Sequence, residues 1–367
     1  MRVVADAGIL GLEALDDVFD ELILLPGRQI KRADLVGADA LLVRSITKID
    51  EALIADTGVR FVGTATSGRD HVDELALAKH GIAFADAKGA NAGAVVDYVF
   101  ACLAQFALGG GCDPRALRVG IVGLGCVGGL LDTRLRETGF TTLCCDPPLA
   151  MRAQDHSRFT TLDHVLACPI VCVHVPLTTT GGNPTQNLIG DDQLRLLQRD
   201  GLLINPSRGG VVDEASLIRH ARANPEFRYA ADVWAGEPLV SANAIDSAWL
   251  ATPHIAGYSV QAKRSATTML LASLAEFDEM HAKTELAARL RAVLNRQQDV
   301  EVLPSDGRGG GWEAIASLFD VRSLDSQFRS ALARGLSAEA FDALRQPLKA
   351  RIEFGSAAST LLAPKPA

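Results

Sequence analysis

The sequence has no C-x-x-C pair, and its seven cysteines (Cys102, Cys112, Cys126, Cys144, Cys145, Cys168 and Cys172) are odd in number. That count and spacing argue against a disulfide framework and against a zinc site, and no metal site is expected. Several of these cysteines fall in expected buried strands, where the side chain behaves as a small apolar residue. Cys126 stands at an expected helix N-terminus, a setting that can activate a thiol; a packed, inert side chain is the expectation. There is no long charge run. The net charge of −8 supplies no electrostatic reason to bind nucleic acid or an anionic membrane surface. The opening M-R-V-V-A-D-A-G-I-L lacks the long apolar core and small-residue cleavage site of a signal peptide. No uninterrupted apolar run approaches a membrane span, so the expectation is a cytoplasmic protein. Internal repeats are absent beyond a recurring α/β pattern.

What the sequence does contain is organised around Arg118 to Asp146. A short apolar run, Val119 to Val122, leads into Gly123, Gly125 and Gly128 at G-x-G-x-x-G spacing. Leu130, Leu131 and Leu135 recur at helical spacing, and a second apolar run, Thr141 to Cys145, ends at Asp146. The first glycine allows a tight turn, the second lets backbone approach a pyrophosphate, and the third lets helix and strand pack closely. The pyrophosphate then meets unpaired N–H groups at the positive end of the helix. Asp146, at the tip of the second strand, can accept from ribose hydroxyls. No Arg follows it immediately to receive a 2′-phosphate, which favours NAD over NADP.

With 367 residues, 48% hydrophobic and 22% charged, two or three domains are expected. In residues 1–90, Val3–Ala5, Leu22–Leu25, Ala40–Val43 and Phe61–Gly63 read as strands, and Gly11–Asp20, Asp50–Thr57 and Asp73–His80 as helices. Polar clusters close three of these strands: Asp6, then Arg44-Ser45, then Thr64 to Asp70. They are candidate substrate contacts, although Ser67 and Asp70 serve equally well as helix caps. Asn91 to Leu108 reads as a nearly apolar helix. Further strands are expected at Ile170–Pro176, Gly201–Pro206, Tyr229–Val233 and Leu250–Thr252, with a polar surface loop at T-T-T-G-G-N-P-T-Q-N. A helix over Val260–Met280 leads back toward the first domain. Beyond it, amphipathic segments at Trp312–Ser330 and Ser337–Arg351 follow a Gly-rich linker, S-D-G-R-G-G-G-W, and A-P-K-P-A is expected to fray. The fold class is therefore α/β, with a doubly wound Rossmann nucleotide-binding domain (91–255). A second, flavodoxin-like α/β substrate domain (1–90 with 256–285) and a small C-terminal α+β domain (286–367) complete it.

Three polar segments close the later strands: N-P-S-R-G-G-V-V-D (205–213), D-V-W-A-G-E-P (232–238) and T-P-H-I-A-G-Y (252–258). They offer one Arg, one Glu and one His, a set suited to oxidising a 2-hydroxy acid. Arg208 can grip a carboxylate bidentately and polarise the oxygen at C2. His254 can take the hydroxyl proton, with Glu237 orienting it. Asp232 is well placed for a nicotinamide carboxamide. The remaining histidines have no comparable setting and read as structural or surface residues.

These segments resemble the D-isomer-specific 2-hydroxyacid dehydrogenases. Within them the resemblance is closer to the erythronate-4-phosphate dehydrogenase family, through V-R-S-I-T-K (43–48), F-V-G-T-A-T-S-G-R-D-H-V-D (61–73), C-D-P-P (145–148), H-I-A-G-Y-S (254–259) and F-D-V-R-S-L-D (319–325). The resemblance covers nearly the whole chain. It implies Arg208, Glu237 and His254 as catalytic, and Ser45, Thr66 and Tyr258 on the substrate. It implies Asp146, Asp232 and Gly257 on NAD, joined by Gly123, Gly125, Cys126, Val127 and Gly128 of the glycine turn and by Pro206 and Ser207. The implied reaction is NAD-dependent oxidation of 4-phospho-D-erythronate at C2 to (R)-3-hydroxy-2-oxo-4-phosphooxybutanoate, in pyridoxal phosphate biosynthesis. The implied assembly is a homodimer through the C-terminal domain. Two departures stand out: Val175 where that family usually has a Thr, and Gly210 where it commonly has Ala. Arg44 or Arg69 is the expected partner of the 4-phosphate. Alternative readings are another D-2-hydroxyacid dehydrogenase, such as one acting on 3-phosphoglycerate, and a catalytically idle NAD-sensing scaffold.

Overall fold

The computed structural model describes residues 1–110, 112–282, 285–295, 310–355 and 357–362. Most of the Gly-rich stretch before Trp312, and the terminal A-P-K-P-A, lie outside the described residues. Two compact units are formed. One holds Met1–Asn91 and the helices from Val260 to Leu294; the other holds Ala92–Ser259 and the helices from Trp312 to Leu362.

The first unit is built on a parallel sheet of β1 (Arg2–Asp6), β2 (Glu21–Leu25), β3 (Ala40–Val43), β4 (Phe61–Thr64) and β5 (Ala83–Asp86), in the order β2-β1-β3-β4-β5. This is the flavodoxin-like strand order. The helix Val260–Phe277 covers one face, placing Leu270, Leu271 and Leu274 in a cluster with Val3, Ala5, Leu42 and Phe61. The helix expected over Gly11–Asp20 is only a single 3₁₀ turn, Leu12–Ala14. Its entry residue Gly11 has a left-handed φ of 85°, so the apolar Leu12, Leu15, Val18 and Phe19 reach the core from turns. Neither Ser67 nor Asp70 caps the helix Glu74–Lys79; Asp73 does, accepting from Ala76 N at 2.9 Å.

In the second unit, β6 (Arg118–Val122), β7 (Thr141–Cys145), β8 (Ile170–Val173), β9 (Leu202–Asn205), β10 (Arg228–Ala231) and β11 (Leu250–Ala251) form a parallel sheet ordered β11-β10-β9-β8-β6-β7. Phe159 adds a parallel bridge to Cys144 on the outer side of β7. The chain reverses direction across the sheet between β6 and β8, which makes their carboxyl ends a topological switch point. Both faces are buried: Val119, Ile121, Ile170 and Ile204 point into one cluster, Val122, Val171, Val173 and Leu203 into the other.

The helix Ala92–Gly110 lies in the first of these clusters. By length and composition it is apolar enough to cross a membrane, yet it carries Asp97, and 72% of its apolar 18-residue window is buried inside the protein, as in the core helix of a globular unit. The described residues after 286 contain helices only and are divided between the two units. The helix Leu286–Leu294 counts with the first unit. In the second, the expected segment Trp312–Ser330 breaks at Phe319-Asp320 into helices Trp312–Leu318 and Val321–Ala333. The latter covers the edge strand β11: Asp325 accepts from Ala251 N at 2.8 Å, and Arg329 donates to Ile245 O and Ala248 O, each at 2.8 Å.

Candidate active site

Gly123, at the end of β6, has φ 91°, and a Cβ there would lie 2.6 Å from His174 O. Gly128 sits in the first turn of the helix Cys126–Glu137, where a Cβ would lie 1.9 Å from Gly123 O. Gly125 caps that helix, and a Cβ on it would meet nothing within 4 Å. The three glycines thus turn, lie open and pack, as a pyrophosphate cradle requires. The first amides of the helix have no intrahelical acceptor and point out of its end. Cys126 is exposed here, because it is the first helical residue and lies on the open side of the turn; the packed side chain expected from the sequence is corrected. Asp146 follows β7 and receives Leu124 N at 2.8 Å and Leu149 N at 2.9 Å, fixing the acid against the glycine turn. Val127 continues the first turn, while Val175 packs toward Gly123. These residues fit a dinucleotide.

His254 and Glu237 meet beyond the carboxyl ends of β10 and β11. His254 Nδ1 is 2.6 Å from Glu237 Oε2, and Glu237 Oε1 accepts from Trp234 N at 2.8 Å. His254 has a φ of 56°, a left-handed conformation that costs a non-glycine residue on the order of 1–3 kcal/mol. The surrounding bonds hold it there. Its N–H donates to Asp232 O at 2.8 Å, and the Asp232 carboxylate accepts from Ile255 N and Ala256 N, both at 2.8 Å, and from Thr252 Oγ1 at 2.7 Å. Asp232 is fully buried, and that burial pushes its carboxyl up to about 6 against the pull of His254 and these donors. Its observed role is to shape the His254 loop. Thr252 and Trp234 went unnoticed in the sequence, and Trp234 Nε1 donates to Thr252 O at 2.9 Å. Their signal lies in the same motifs, within three positions of the named residues.

Burial works against charge on His254, but the Glu237 carboxylate and its hydrogen bond outweigh it, with Asp232 adding to them, and the imidazole pKa is raised. Arg208 opposes that rise, so its charge reaches the imidazole. Glu237→Gln removes the charge that raises His254. With His254 proposed as the base, the neutral imidazole is the active form in oxidation, so the acid limb of a kcat/KM–pH profile is expected to move to lower pH in that variant, with kcat down on the order of 10²-fold as orientation loosens. A profile with an unmoved acid limb would show that Glu237 does not set the His254 pKa.

Arg208 stands in a loop pressed onto the Glu237 loop. A Cβ on Gly209 would lie 2.1 Å from Trp234 O, and Gly210 has φ 83°, so both glycines are required by this backbone. An alanine at 210 would therefore be strained in this conformation. Ser207 donates to Asn205 Oδ1 at 2.7 Å through its hydroxyl, fixing the turn after the buried Pro206. Tyr258 N closes a turn on Ile255 O at 2.9 Å around Gly257.

In the first unit, Ser45 is exposed at the end of β3, and Thr66, beyond β4, bonds Thr64 Oγ1 at 2.9 Å. Arg44 is held bidentately by Asp6 at 2.8 and 3.0 Å, and Arg69 by Asp86 at 2.5 Å and Glu74 at 3.3 Å. A phosphate at either residue would have to compete with that carboxylate. A depression of about 880 Å³ in the second unit, lined by Phe106, Pro169, Asp200, Arg228 and Trp249 among others, lies at the amino ends of the strands. Ligands of open α/β sheets gather at the opposite ends, where the glycine turn and the Arg–Glu–His set are.

A Rossmann-type sheet with this set at its carboxyl ends defines an NAD-dependent oxidoreductase of CH–OH groups. Residues 109–256 match the family model described as D-isomer specific 2-hydroxyacid dehydrogenase, NAD binding domain. The erythronate-4-phosphate dehydrogenase of Azotobacter vinelandii is 39% identical over 361 residues, covering 96% of this chain and 93% of that protein. The enzyme of the same name from Edwardsiella ictaluri is 43% identical over 277 residues, 76% of this chain and 74% of its own. Among solved structures, the TT0316 protein of Thermus thermophilus shares the fold at TM-score 0.63 and 23% identity, over 76% of this chain and 97% of that one. NAD-dependent formate dehydrogenase of Staphylococcus aureus, in complex with NAD, does so at TM-score 0.61 and 21% identity, over 77% and 97%. The chain belongs to the erythronate-4-phosphate dehydrogenase family.

Proposed function

We propose that this protein oxidises 4-phospho-D-erythronate at C2 to (R)-3-hydroxy-2-oxo-4-phosphooxybutanoate, a step on the route to pyridoxal phosphate. The observation that carries the reading is the His254–Glu237 pair at 2.6 Å, with the Arg208 charge acting on the same imidazole, in a chain of this family. With Nδ1 engaged by Glu237, the His254 Nε2 is the atom that takes the proton of the C2 hydroxyl. Arg208 binds the substrate carboxylate and polarises the C2 oxygen. The glycine turn, Asp146, Pro206, Ser207, Asp232 and Gly257 hold NAD, whose nicotinamide supplies the hydride acceptor. Ser45, Thr66 and Tyr258 bind the substrate. We further propose a cytoplasmic homodimer, with no nucleic-acid or membrane partner. The seven free cysteines suit a reducing compartment, and light scattering reads the dimer.

The test is absorbance at the reduced-nicotinamide band with purified protein and NAD, comparing 4-phospho-D-erythronate, D-3-phosphoglycerate and D-lactate. Turnover preferring the four-carbon phosphate is expected. Preference for 3-phosphoglycerate would overturn the substrate assignment, and NAD binding without turnover of any acid would favour an idle sensing scaffold.

A further inference from the structure

Among the described residues, the chain passes from one unit to the other after Asn91 and again after Ser259. On the side of the second unit, both exits are held by one short C-terminal stretch, Arg351 to Gly355. Arg351 Nε donates to Tyr258 O at 2.7 Å, and its second terminal nitrogen donates to Ala94 O at 3.2 Å and Ala256 O at 3.4 Å. The first terminal nitrogen is 3.5 Å from the Asp97 carboxylate, at ion-pair distance without hydrogen-bond geometry. The guanidinium also lies over the Phe319 ring, 4.2 Å from its centroid. Asp97 in turn accepts from Phe354 N at 2.8 Å and Gly355 N at 3.2 Å. Glu353 accepts from Ser259 Oγ at 2.5 Å, and a Cβ on Gly93 would lie 2.2 Å from its Oε2.

One end of the C-terminal region therefore grips the first turns of the helix after the first exit and the loop before the second exit. That loop is the one carrying His254. Ala256 is held from both directions, its N–H by Asp232 and its carbonyl by Arg351. The Arg351 and Asp97 side chains are 7% and 1% exposed. Burial pushes Asp97 up to about 7, with Arg351 countering, and burial lowers Arg351. A buried ion pair is a weak way to gain stability compared with apolar packing. Its physical advantage is one defined geometry, because three backbone carbonyls and a carboxylate must converge on a single planar cation.

We propose that Arg351 and Glu353 are positioning residues for the dehydrogenase reaction: by fixing both exits and the Ala256–Ser259 backbone, they set the placement of His254 and Tyr258. The proposal rests on the dehydrogenase reading. Its test uses the full-length protein with Arg351→Met, Arg351→Lys and Glu353→Gln. The readouts are thermal melting, NAD binding stoichiometry and Kd, and kcat and KM with 4-phospho-D-erythronate carrying hydrogen or deuterium at C2.

Misplacing reacting groups by about 1 Å can cost on the order of 10²-fold, so Arg351→Met is expected to lose up to about 10²-fold in kcat. NAD stoichiometry and Kd should stay near wild type while the deuterium effect on kcat rises, because the hydride step becomes slower. Lys, which keeps the charge and not the fork, should recover part of the loss. Loss of turnover in proportion to lost NAD sites, with an unchanged isotope effect, would overturn the proposal, since it reports unfolded protein alone. If Arg351→Met fails to fold, Glu353→Gln decides: a raised isotope effect at full NAD stoichiometry supports the proposal, and wild-type kinetics overturn it. A wild-type protein that turns over no hydroxy acid would overturn the dehydrogenase reading itself; active wild type with unaltered variants overturns only this inference.

Discussion

Replacing His254 with Asn should reduce kcat about 10²- to 10⁴-fold, the range supplied by a positioned general base, while NAD affinity stays within a few fold of wild type. Asn is small enough to keep the polar site and has no titratable nitrogen. The left-handed backbone at φ 56° suits Asn better than most residues, so loss of activity is not a loss of fold. Because Glu237 acts through His254, adding Glu237→Gln to His254→Asn should cost little more than the single change, as groups that act as a unit are not additive. Steady-state kinetics on the two single variants and the double variant check this. Full additivity would mean that Glu237 touches the reaction independently of the 2.6 Å contact.

Replacing Arg208 with Ala should lower kcat/KM on the order of 10³-fold, with part of the loss in KM. Two effects combine. A carboxylate loses a bidentate partner, and the oxygen at C2 loses the donor that stabilises its developing charge; such a donor alone is worth about 10²- to 10³-fold. Lys restores charge but not the fork, so it should recover roughly tenfold and no more. The Arg208 charge also holds the His254 pKa down, so in the Ala variant the acid limb of the pH profile should move to higher pH, opposite to the Glu237→Gln variant. Profiles of the two variants shifting in the same direction would contradict the electrostatic assignment.

Much of this site was legible because its chemistry is local in sequence. Gly123, Gly125 and Gly128 act within one turn, and Asp146 meets the Leu124 amide directly across the strand ends. The motifs around Arg208, Glu237 and His254 each close an apolar run, so strand ends alone bring them to one edge. What the sequence concealed is carried by distant partners. Asp97 sits in a helix apolar enough to pass for a membrane span, and its partners are far along the chain, as the 257-residue separation from Phe354 shows. The C-terminal helices looked like a domain of their own because an amphipathic face shows that something is covered, not what. Here Phe319, Val321 and Phe328 are buried within the unit that holds the glycine turn. The segment after Gly11 has apolar residues at helical spacing, yet it satisfies the core through turns; periodicity alone cannot separate the two.

The most direct test of the central claim follows one atom. Wild-type protein is given NAD and 4-phospho-D-erythronate deuterated at C2, and the reduced nicotinamide and the acid product are analysed by mass. Oxidation at C2 predicts one deuterium on each reduced nicotinamide and an unlabelled 2-oxo acid. Deuterium retained in the acid, with reduced nicotinamide formed unlabelled, would contradict it.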